Sequence, residues 1–186
     1  MTSEPSRDPF RLRAYRSEDR DACLAIFDGH VPRYFATHER DGYETFLVGL
    51  DRSDPDRSAD TSPNAYFVVA DAAGDARGII GCGGIAWNDR AAGLAVLTWG
   101  MVRHDLLQRG VGRFLLRERL RRLAVDPSCR TVRIETSQHT RDFFARAGFI
   151  IRAIEPDGFA AGIDRLDMTL DVTTLRDAIL RDAILS

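Results

Sequence analysis

The residues best suited to chemistry lie in one stretch, where an apolar segment leads through a glycine turn into a Leu/Arg-rich segment. The apolar part is Leu97–Val102, the turn is Gln108–Arg113, and helical spacing continues to Val125. A strand that feeds such a turn aims backbone N–H groups at one point, where the helix dipole also favours an anion. The first helical turn carries Arg109 and Arg113 but no carboxylate, the reverse of the usual preference at a helix start. The sequence therefore predicts a cradle for a pyrophosphate.

The elements before this stretch are predicted to be one strand and two helices. Phe10–Arg16 alternates apolar and basic residues, as a half-buried strand does. Ser17 is suited to open the first helix, and Pro32 to the first turn of a second helix that reaches Leu50. Residues 51–64 are acidic and rich in Pro and Ser, so we expect a mobile loop there.

Most of the remaining chain has the pattern of strands. The candidates are residues 65–70, 78–87, 94–102, 130–136, 149–154 and 164–172, the last two joined by a loop over 155–163. A helix over 108–125 separates two of them and indicates a parallel crossover, and Ser137 is predicted to cap a further helix that ends at Gly148. This order predicts an α/β (α+β) fold with a mixed, mostly antiparallel central sheet flanked by helices.

Composition limits the classes of protein to which the chain can belong. Its 186 residues, 44% hydrophobic with a net charge of −2, indicate one soluble domain, which we place at residues 9–172. The tail, residues 173–186, is expected to form a short helix. The chain contains no apolar stretch of ~18 residues, so we expect no membrane span. The balanced charge gives no reason to expect nucleic-acid binding, and three scattered cysteines favour a cytoplasmic location.

Several other patterns have simpler explanations than a site. The chain has no lysine, which excludes a Walker P-loop and a lysine Schiff base. Gly81-Cys-Gly-Gly-Ile-Ala86 fits a dinucleotide fingerprint, but a turn rather than a helix follows, so a strand bend is favoured. The arginines between 113 and 122 fit a solvated helix face better than a nucleic-acid patch. The histidines and cysteines lack metal-ligand spacing, so no metal is expected.

A second motif, Phe143-Phe-Ala-Arg-Ala-Gly-Phe149, follows the glycine turn by about 35 residues. With that turn it resembles the GNAT N-acetyltransferase superfamily, whose cofactor loop reads Gln/Arg-x-x-Gly-x-Gly/Ala at a helix start. A later helix in that family typically ends Tyr-x-x-x-Gly-Phe. The order of elements is similar over nearly the whole chain, from Phe10 to Val172. The resemblance implies a GNAT-like fold and acetyl-CoA (coenzyme A) as cosubstrate.

The chain departs from the family pattern at two positions. The Gln/Arg position of the loop falls on Leu107, with the amide one residue later at Gln108, and backbone cradling should tolerate this change. Phe144 stands where the family commonly has the Tyr that protonates the departing thiolate. A thiol pKa of ~8.5 makes departure without a proton cost only ~2 kcal/mol near pH 7. Ser137 or water is therefore expected to cover the loss.

The resemblance implies the following site. The expected cofactor-binding residues are Met101, Val102, Arg103, Gln108, Arg109, Gly110, Val111, Gly112, Arg113 and Phe144, with backbone N–H groups near Met101–Arg103 polarising the acyl carbonyl. An amine must lose a proton before it attacks. Glu135 is the first choice of base and His139 the second, although an ion pair with Arg133 or Arg141 would also explain Glu135.

The acceptor amine is expected between the Gly29–Tyr34 turn and the 155–163 loop. The candidate walls are Phe27, Tyr34, Trp87 and Phe159, and the carboxylates that would attract a cation are Asp28 and Asp157.

Together these features predict transfer of an acetyl group from acetyl-CoA to a primary amine of a small molecule or peptide, by direct attack in a ternary complex. A homodimer is a further expectation. A non-catalytic acyl-CoA-binding or regulatory module is the alternative, since Phe144 lacks the usual hydroxyl. A nucleotide-dependent oxidoreductase is a third class, which predicts affinity for NAD(P) rather than coenzyme A.

Overall fold

The computed structural model describes residues 9–52, 65–71, 78–173 and Arg176. In this part of the chain seven strands form one sheet in the order β1-β2-β3-β4-β5-β7-β6, antiparallel throughout except between β4 and β5. The strands are β1 (Phe10–Ala14), β2 (Ala65–Asp71), β3 (Ile79–Asp89), β4 (Leu94–Val102), β5 (Thr131–Thr136), β6 (Ile150–Ala160) and β7 (Ile163–Asp171). The helices are α1 (Arg20–Asp28), α2 (Glu39–Asp51), α3 (Val111–Val125) and α4 (Arg141–Arg146). The predicted mixed, mostly antiparallel sheet and its parallel crossover are confirmed.

Helices cover the two faces of the sheet unequally. On one face α3 and α4 bury a core that runs from Leu97 on β4 to Met168 on β7. On the other face α1 and α2 pack on β2, β3 and β4, against side chains such as Tyr66 and Cys82. Because successive strand residues point to opposite faces, β5 and β7 present polar residues such as Arg133 on the side that α1 and α2 leave open. Among the described residues, therefore, no helix covers this polar half-face, the part of the sheet face formed by β5 and β7.

Three predicted boundaries are wrong. The second helix begins at Glu39 rather than Pro32, because residues 29–38 form turns and the Glu39 carboxylate accepts the Ala36 N–H at 2.7 Å. The cradle helix begins at Val111 rather than residue 108. Thr140, not Ser137, is the residue before α4.

The predicted loop over residues 155–163 is also wrong, because most of it is a hairpin. Pairing of Glu155 with Arg165 and of Ala160 with Ile163 extends β6 and β7 toward their turn. The predicted mobile loop lies outside the described residues from position 53 onward. The predicted tail also lies outside them, apart from Thr173 and Arg176.

The glycines of β3 permit close approach of its neighbours. A Cβ atom built on Gly84 would lie 2.6 Å from Thr98 Oγ1 and 2.9 Å from the Ala65 carbonyl oxygen. On the opposite face, a Cβ on Gly83 would lie 3.0 Å from Arg119 Nη1. The strand continues to Asp89 without a following helix, so the Gly-x-Gly-x-x-Ala match is not a dinucleotide fingerprint.

Candidate functional site

A cleft opens between β4 and β5. The two strands pair only where Leu94–Val96 faces Thr131–Arg133. Beyond these pairs β4 stays on β3 as far as Val102, opposite Gly81, while β5 stays on β7 to its end. Each strand follows its outer neighbour, so the two diverge and their facing edges are left available to an extended ligand.

The edge of β4 along this cleft carries a β-bulge. Thr98 pairs with Gly84 and Met101 with Cys82, so Trp99 and Gly100 both oppose the single residue between those partners. Trp99 adopts a φ of 42°, in the left-handed region. A bulge takes backbone groups out of the regular ladder. An N–H released in this way can stabilise a carbonyl oxygen on which charge develops.

The glycine turn has the geometry of an anion cradle at the start of α3. Gly110 precedes the helix with a φ of 89°, and no side chain caps the helix end. The first helical bond runs from the Phe114 N–H to the Gly110 carbonyl at 2.9 Å. The N–H groups of residues 111–113 therefore precede the helical bonds and face outward. No acidic residue lies in this first turn, so an anion would meet only donors and arginines.

The start of α3 lies beside the end of β4 and beside α4. A Cβ on Gly112 would lie 3.6 Å from Val102 Cγ2 and 3.8 Å from Phe143 Cζ. Phe144 instead lies in the core, where its ring contacts those of Phe143 and Phe149 at centroid distances of 5.0 Å and 5.6 Å. The structure therefore brings the cradle to the mouth of the cleft, with Phe144 packed behind it.

Two residues at the end of β4 are less available than the sequence suggests. The Arg103 N–H donates to the Ile80 carbonyl at 2.9 Å, and the Arg103 side chain pairs with Asp105 at 2.7 Å. Met101 is buried under α1 and α2. The bulge at Trp99–Gly100 is therefore the better source of an N–H for an acyl carbonyl.

Glu135 flanks the cleft on the β5 side. Because Val96 faces Arg133 in the parallel pairs, Glu135 lies two residues farther along, across from Thr98 and on the open polar half-face. Its side chain is 42% exposed, and its Oε1 accepts a hydrogen bond from Arg133 Nη2 at 2.7 Å. The ion pair foreseen from the sequence is present, and the carboxylate is still accessible.

Ser137 occupies a different environment just beyond β5. It is 5% exposed, and its carbonyl accepts the Thr140 N–H at 3.1 Å. It therefore opens the turn before α4 and does not cap that helix.

Comparison with known proteins identifies the family. Residues 34–172 match the sequence family described as the acetyltransferase (GNAT) domain. The chain belongs to this family. The match spans the cleft, the bulge and the cradle, so the resemblance inferred from the two motifs is confirmed.

Solved structures support the same fold for this member of the GNAT family. A GNAT-family protein from Desulfovibrio desulfuricans is 21% identical with a TM-score of 0.68, covering 88% of this chain and 98% of its own. Ard1 from Thermoplasma volcanium is 17% identical with a TM-score of 0.66, covering 88% and 98%. A dodecameric spermidine N-acetyltransferase from Vibrio cholerae is 15% identical with a TM-score of 0.66, covering 90% and 96%. No curated protein sequence matches the chain significantly.

Sequence reasoning did not single out His30, which is buried at the open end of the cleft. The residue is 6% exposed, and its Nε2 lies 2.7 Å from the Val102 carbonyl oxygen. A carbonyl only accepts, so Nε2 carries a proton. Burial lowers the pKa of His30 and favours the neutral ring, in which Nδ1 holds a lone pair. This Nδ1 is buried and has no hydrogen-bond partner among the described residues. The only signal in the sequence is a histidine directly after a helix break.

Aromatic rings link His30 to the far side of the cleft. The Tyr34 ring contacts the His30 ring at 5.3 Å and the His139 ring at 5.7 Å, both edge to face. His30 is bonded to β4, and His139 follows β5, so the three rings span the mouth of the cleft.

Two of the predicted acceptor walls are wrong. Phe27 is fully buried between α1 and α2. Trp87 pairs with Ala95 at the closed end of the cleft, where its ring packs on Arg90 at 4.4 Å. Tyr34 and Phe159 are half-buried and stay candidates.

The two carboxylates predicted to attract a cationic acceptor both contact neighbouring protein groups. Asp28 pairs with Arg40 at 2.8 Å, and Asp157 accepts the Gly162 N–H at 2.5 Å.

The described part of the chain holds no group of three or more His, Cys, Asp or Glu side chains arranged to bind a metal ion. Within the same residues, no helix is both long enough and apolar enough to cross a membrane.

The environment of His30 predicts a pH-dependent contribution to stability. Burial lowers its pKa below the ordinary value; the bond to Val102 opposes this shift, and nearby His104 adds to it. The unfolded chain therefore binds this proton more readily, so the contribution is complete above about pH 6.5 and is lost as the pH falls toward the folded pKa. We expect His30→Gln to lose less stability than the wild type between about pH 7 and pH 5.

Urea unfolding at both pH values measures this difference. His38→Gln is the matched control, because His38 is exposed, and it should keep the wild-type pH dependence. Identical losses in His30→Gln and the wild type would contradict the assignment.

Proposed function

We propose that this protein is an N-acetyltransferase that moves the acetyl group of acetyl-CoA to a primary amine of a small molecule or peptide. The observation that carries the proposal is the continuous surface formed by the cleft, the bulge and the cradle. The pantetheine arm of acetyl-CoA is extended and can follow the free edge of β4. Its pyrophosphate would meet the N–H groups of α3. The residues proposed to bind acetyl-CoA are Met101, Val102, Arg103, Gln108, Arg109, Gly110, Val111, Gly112, Arg113 and Phe144.

The proposed reaction is direct attack by the amine. Its nitrogen lone pair forms a bond to the acyl carbon while the carbonyl electrons move onto oxygen, which the bulge N–H stabilises. The carbonyl then re-forms and the carbon–sulfur bond breaks, which releases the coenzyme A thiolate. The nitrogen loses one proton and the thiolate gains one. An ammonium substrate thus gives an amide, free thiol and one released proton.

Glu135 is the proposed proton acceptor. An alkylamine with a pKa of ~10.4 is almost wholly protonated at pH 7, so making the nucleophile costs ~4–5 kcal/mol. The accessible carboxylate of Glu135, across the cleft from Thr98, can take that proton directly or through water. Phe144 offers no hydroxyl to the leaving thiolate, so the Ser137 hydroxyl or water is the proposed proton source.

A non-catalytic acyl-CoA-binding module is the second candidate. The observation that favours it is the core position of Phe144, where relatives commonly carry a tyrosine. Such a module would bind acetyl-CoA through the same cradle and leave the thioester intact.

The acceptor and the assembly are further proposals. The structural neighbours include a spermidine N-acetyltransferase that is dodecameric. We propose a small amine as the acceptor here too, and self-association through the exposed edge strand β6, where Ile150 and Ile154 are 52% and 55% exposed.

Two measurements on the same preparation test the proposed function. Calorimetry measures binding of acetyl-CoA, and a thiol reagent measures release of coenzyme A with a panel of polyamines, amino acids and peptides. We expect binding and amine-dependent release. Binding without release from any amine favours the module, and affinity for NAD(P) without affinity for acetyl-CoA overturns both.

A further inference from the structure

Arg119 of α3 is a cation that is buried between this helix and the sheet. It is 2% exposed, and its two hydrogen bonds, from Nε to the Leu115 carbonyl and from Nη1 to the Gly84 carbonyl, are both long at 3.4 Å. The groups that act on its charge are Tyr66 and Cys82, and no carboxylate is among them in the described part of the chain. Burial lowers the pKa of Arg119 to about 10. The side chain is therefore still charged at neutral pH.

The guanidinium fits where two side chains are missing. A Cβ on Gly83 would lie 3.0 Å from Nη1, and a Cβ on Gly100 would lie 3.0 Å from Nη2. Gly100 is one of the two bulge residues of β4, and Gly83 is the residue opposite the bulge. The charge is therefore held directly against the inner side of the bulge.

This arrangement is costly for folding. A buried charge without a counter-ion loses its hydration and gains only weak hydrogen bonds in return. An apolar side chain of similar length, such as Met, would fill the same space without that loss. Costly groups that persist in a fold are concentrated at functional sites. The position of Arg119 beside the bulge indicates which function it serves.

We propose that Arg119 is an electrostatic positioning residue for acyl transfer, whose fixed charge stabilises the oxygen that becomes negative when the amine attacks beside the Trp99–Gly100 bulge. This inference rests on the proposed function. Arg119 exchanges no proton and makes no bond to the substrate. It acts through the bulge peptides, because a cation behind them favours negative charge in front of them, and the low dielectric of the interior strengthens the effect.

Cys82, whose side chain lies on the α1 and α2 side of the sheet, offers a competing explanation. Its sulfur lies 3.5 Å from the Tyr43 hydroxyl, and it acts on the charge of Arg119. A thiolate at Cys82 would neutralise Arg119 internally, and the pair would then serve stability alone. In that case removal of the guanidinium would strand a second buried charge and destabilise the protein.

Arg119→Met and Arg119→Lys test the proposal, with Arg121→Met, an exposed arginine of the same helix, as the control. We expect Arg119→Met to lower kcat about 10- to 100-fold, with unchanged KM for the amine and unchanged calorimetric affinity for acetyl-CoA. Its Tm should be unchanged or raised by about 2–4 °C. Arg119→Lys carries the charge only while its buried ammonium stays protonated, so it should recover part of kcat and lose that recovery as the pH rises. Arg121→Met should match the wild type.

The outcomes separate this inference from the proposed function. Unchanged kcat in a folded Arg119→Met variant overturns the role in catalysis. A lower Tm, or failure of Arg119→Met to fold, overturns it too, because the charge would then be structural. A wild type that binds acetyl-CoA without turnover refutes the proposed function instead, and a raised Tm in Arg119→Met would still show that the charge is uncompensated.

Discussion

Gly110→Glu is expected to weaken binding of acetyl-CoA by about 100-fold or more, which is about 2.7 kcal/mol. The substitution places a carboxylate at the positive end of α3, where the N–H groups of residues 111–113 would otherwise meet the pyrophosphate. It also puts a side chain on a residue with a φ of 89°, a conformation that costs roughly 1–2 kcal/mol outside glycine. Calorimetric titration with acetyl-CoA measures the affinity, and thermal unfolding measures the strain.

Gly162→Glu separates these two effects. Gly162 has a φ of 78°, and a Cβ added there would have no neighbouring atom within 4 Å, so the same substitution adds similar strain and the same charge in the turn between β6 and β7. It should lower Tm to a similar extent and leave the affinity for acetyl-CoA unchanged. Equal affinity in Gly110→Glu and the wild type would show that α3 does not hold the cofactor.

Glu135→Gln should lower kcat about 100-fold while leaving the affinity for acetyl-CoA unchanged. A positioned base typically contributes 10²–10⁴-fold to a rate, and the amide has nearly the shape of the carboxylate but cannot accept the amine proton. The loss should shrink as the pH rises toward the pKa of the amine, because the free amine then exists without a base. Initial rates across this pH range, at saturating acetyl-CoA, measure the effect.

Glu44→Gln is the control for this experiment. Glu44 is 45% exposed and pairs with Arg40 at 3.0 Å, so its surroundings resemble those of Glu135 without a position on the cleft. It should show wild-type rates. A Glu135→Gln enzyme with wild-type kcat and an unchanged pH profile would remove Glu135 as the base. His139→Gln, at the second candidate base, would then be assayed in the same way.

The order of strands and helices could be predicted because local pattern and tertiary structure agree. Alternation in Phe10–Arg16 predicts a half-buried strand, and the apolar run in Leu97–Val102 predicts a more buried one. This is what β1 and β4 are. The glycine turn could be located for a similar reason, since a residue at positive φ before a helix is most often glycine. Boundaries were less predictable: Pro32 is suited to a helix start, yet the chain turns until Glu39.

The missed features arise from contacts between distant segments. His30 is distinctive only because it reaches Val102, which is 72 residues away in sequence. The arginines of α3 look alike in sequence, and only packing against Gly83 and Gly100 places Arg119 inside while Arg121 stays exposed. The Gly81–Gly84 run likewise serves close approach from two faces, which no local pattern specifies.

The short parallel junction between β4 and β5 joins two parts of the sheet, β1–β4 and β5–β7. It consists of three residue pairs and ends at Val96 and Arg133. One continuous hydrophobic core contains residues of both parts, such as Leu97 and Met168, and of α3, such as Leu120. Packing therefore fixes the angle between the two parts before any ligand arrives. A slot that is already open spares a ligand the cost of separating the strands, which leaves more of the contact energy for affinity.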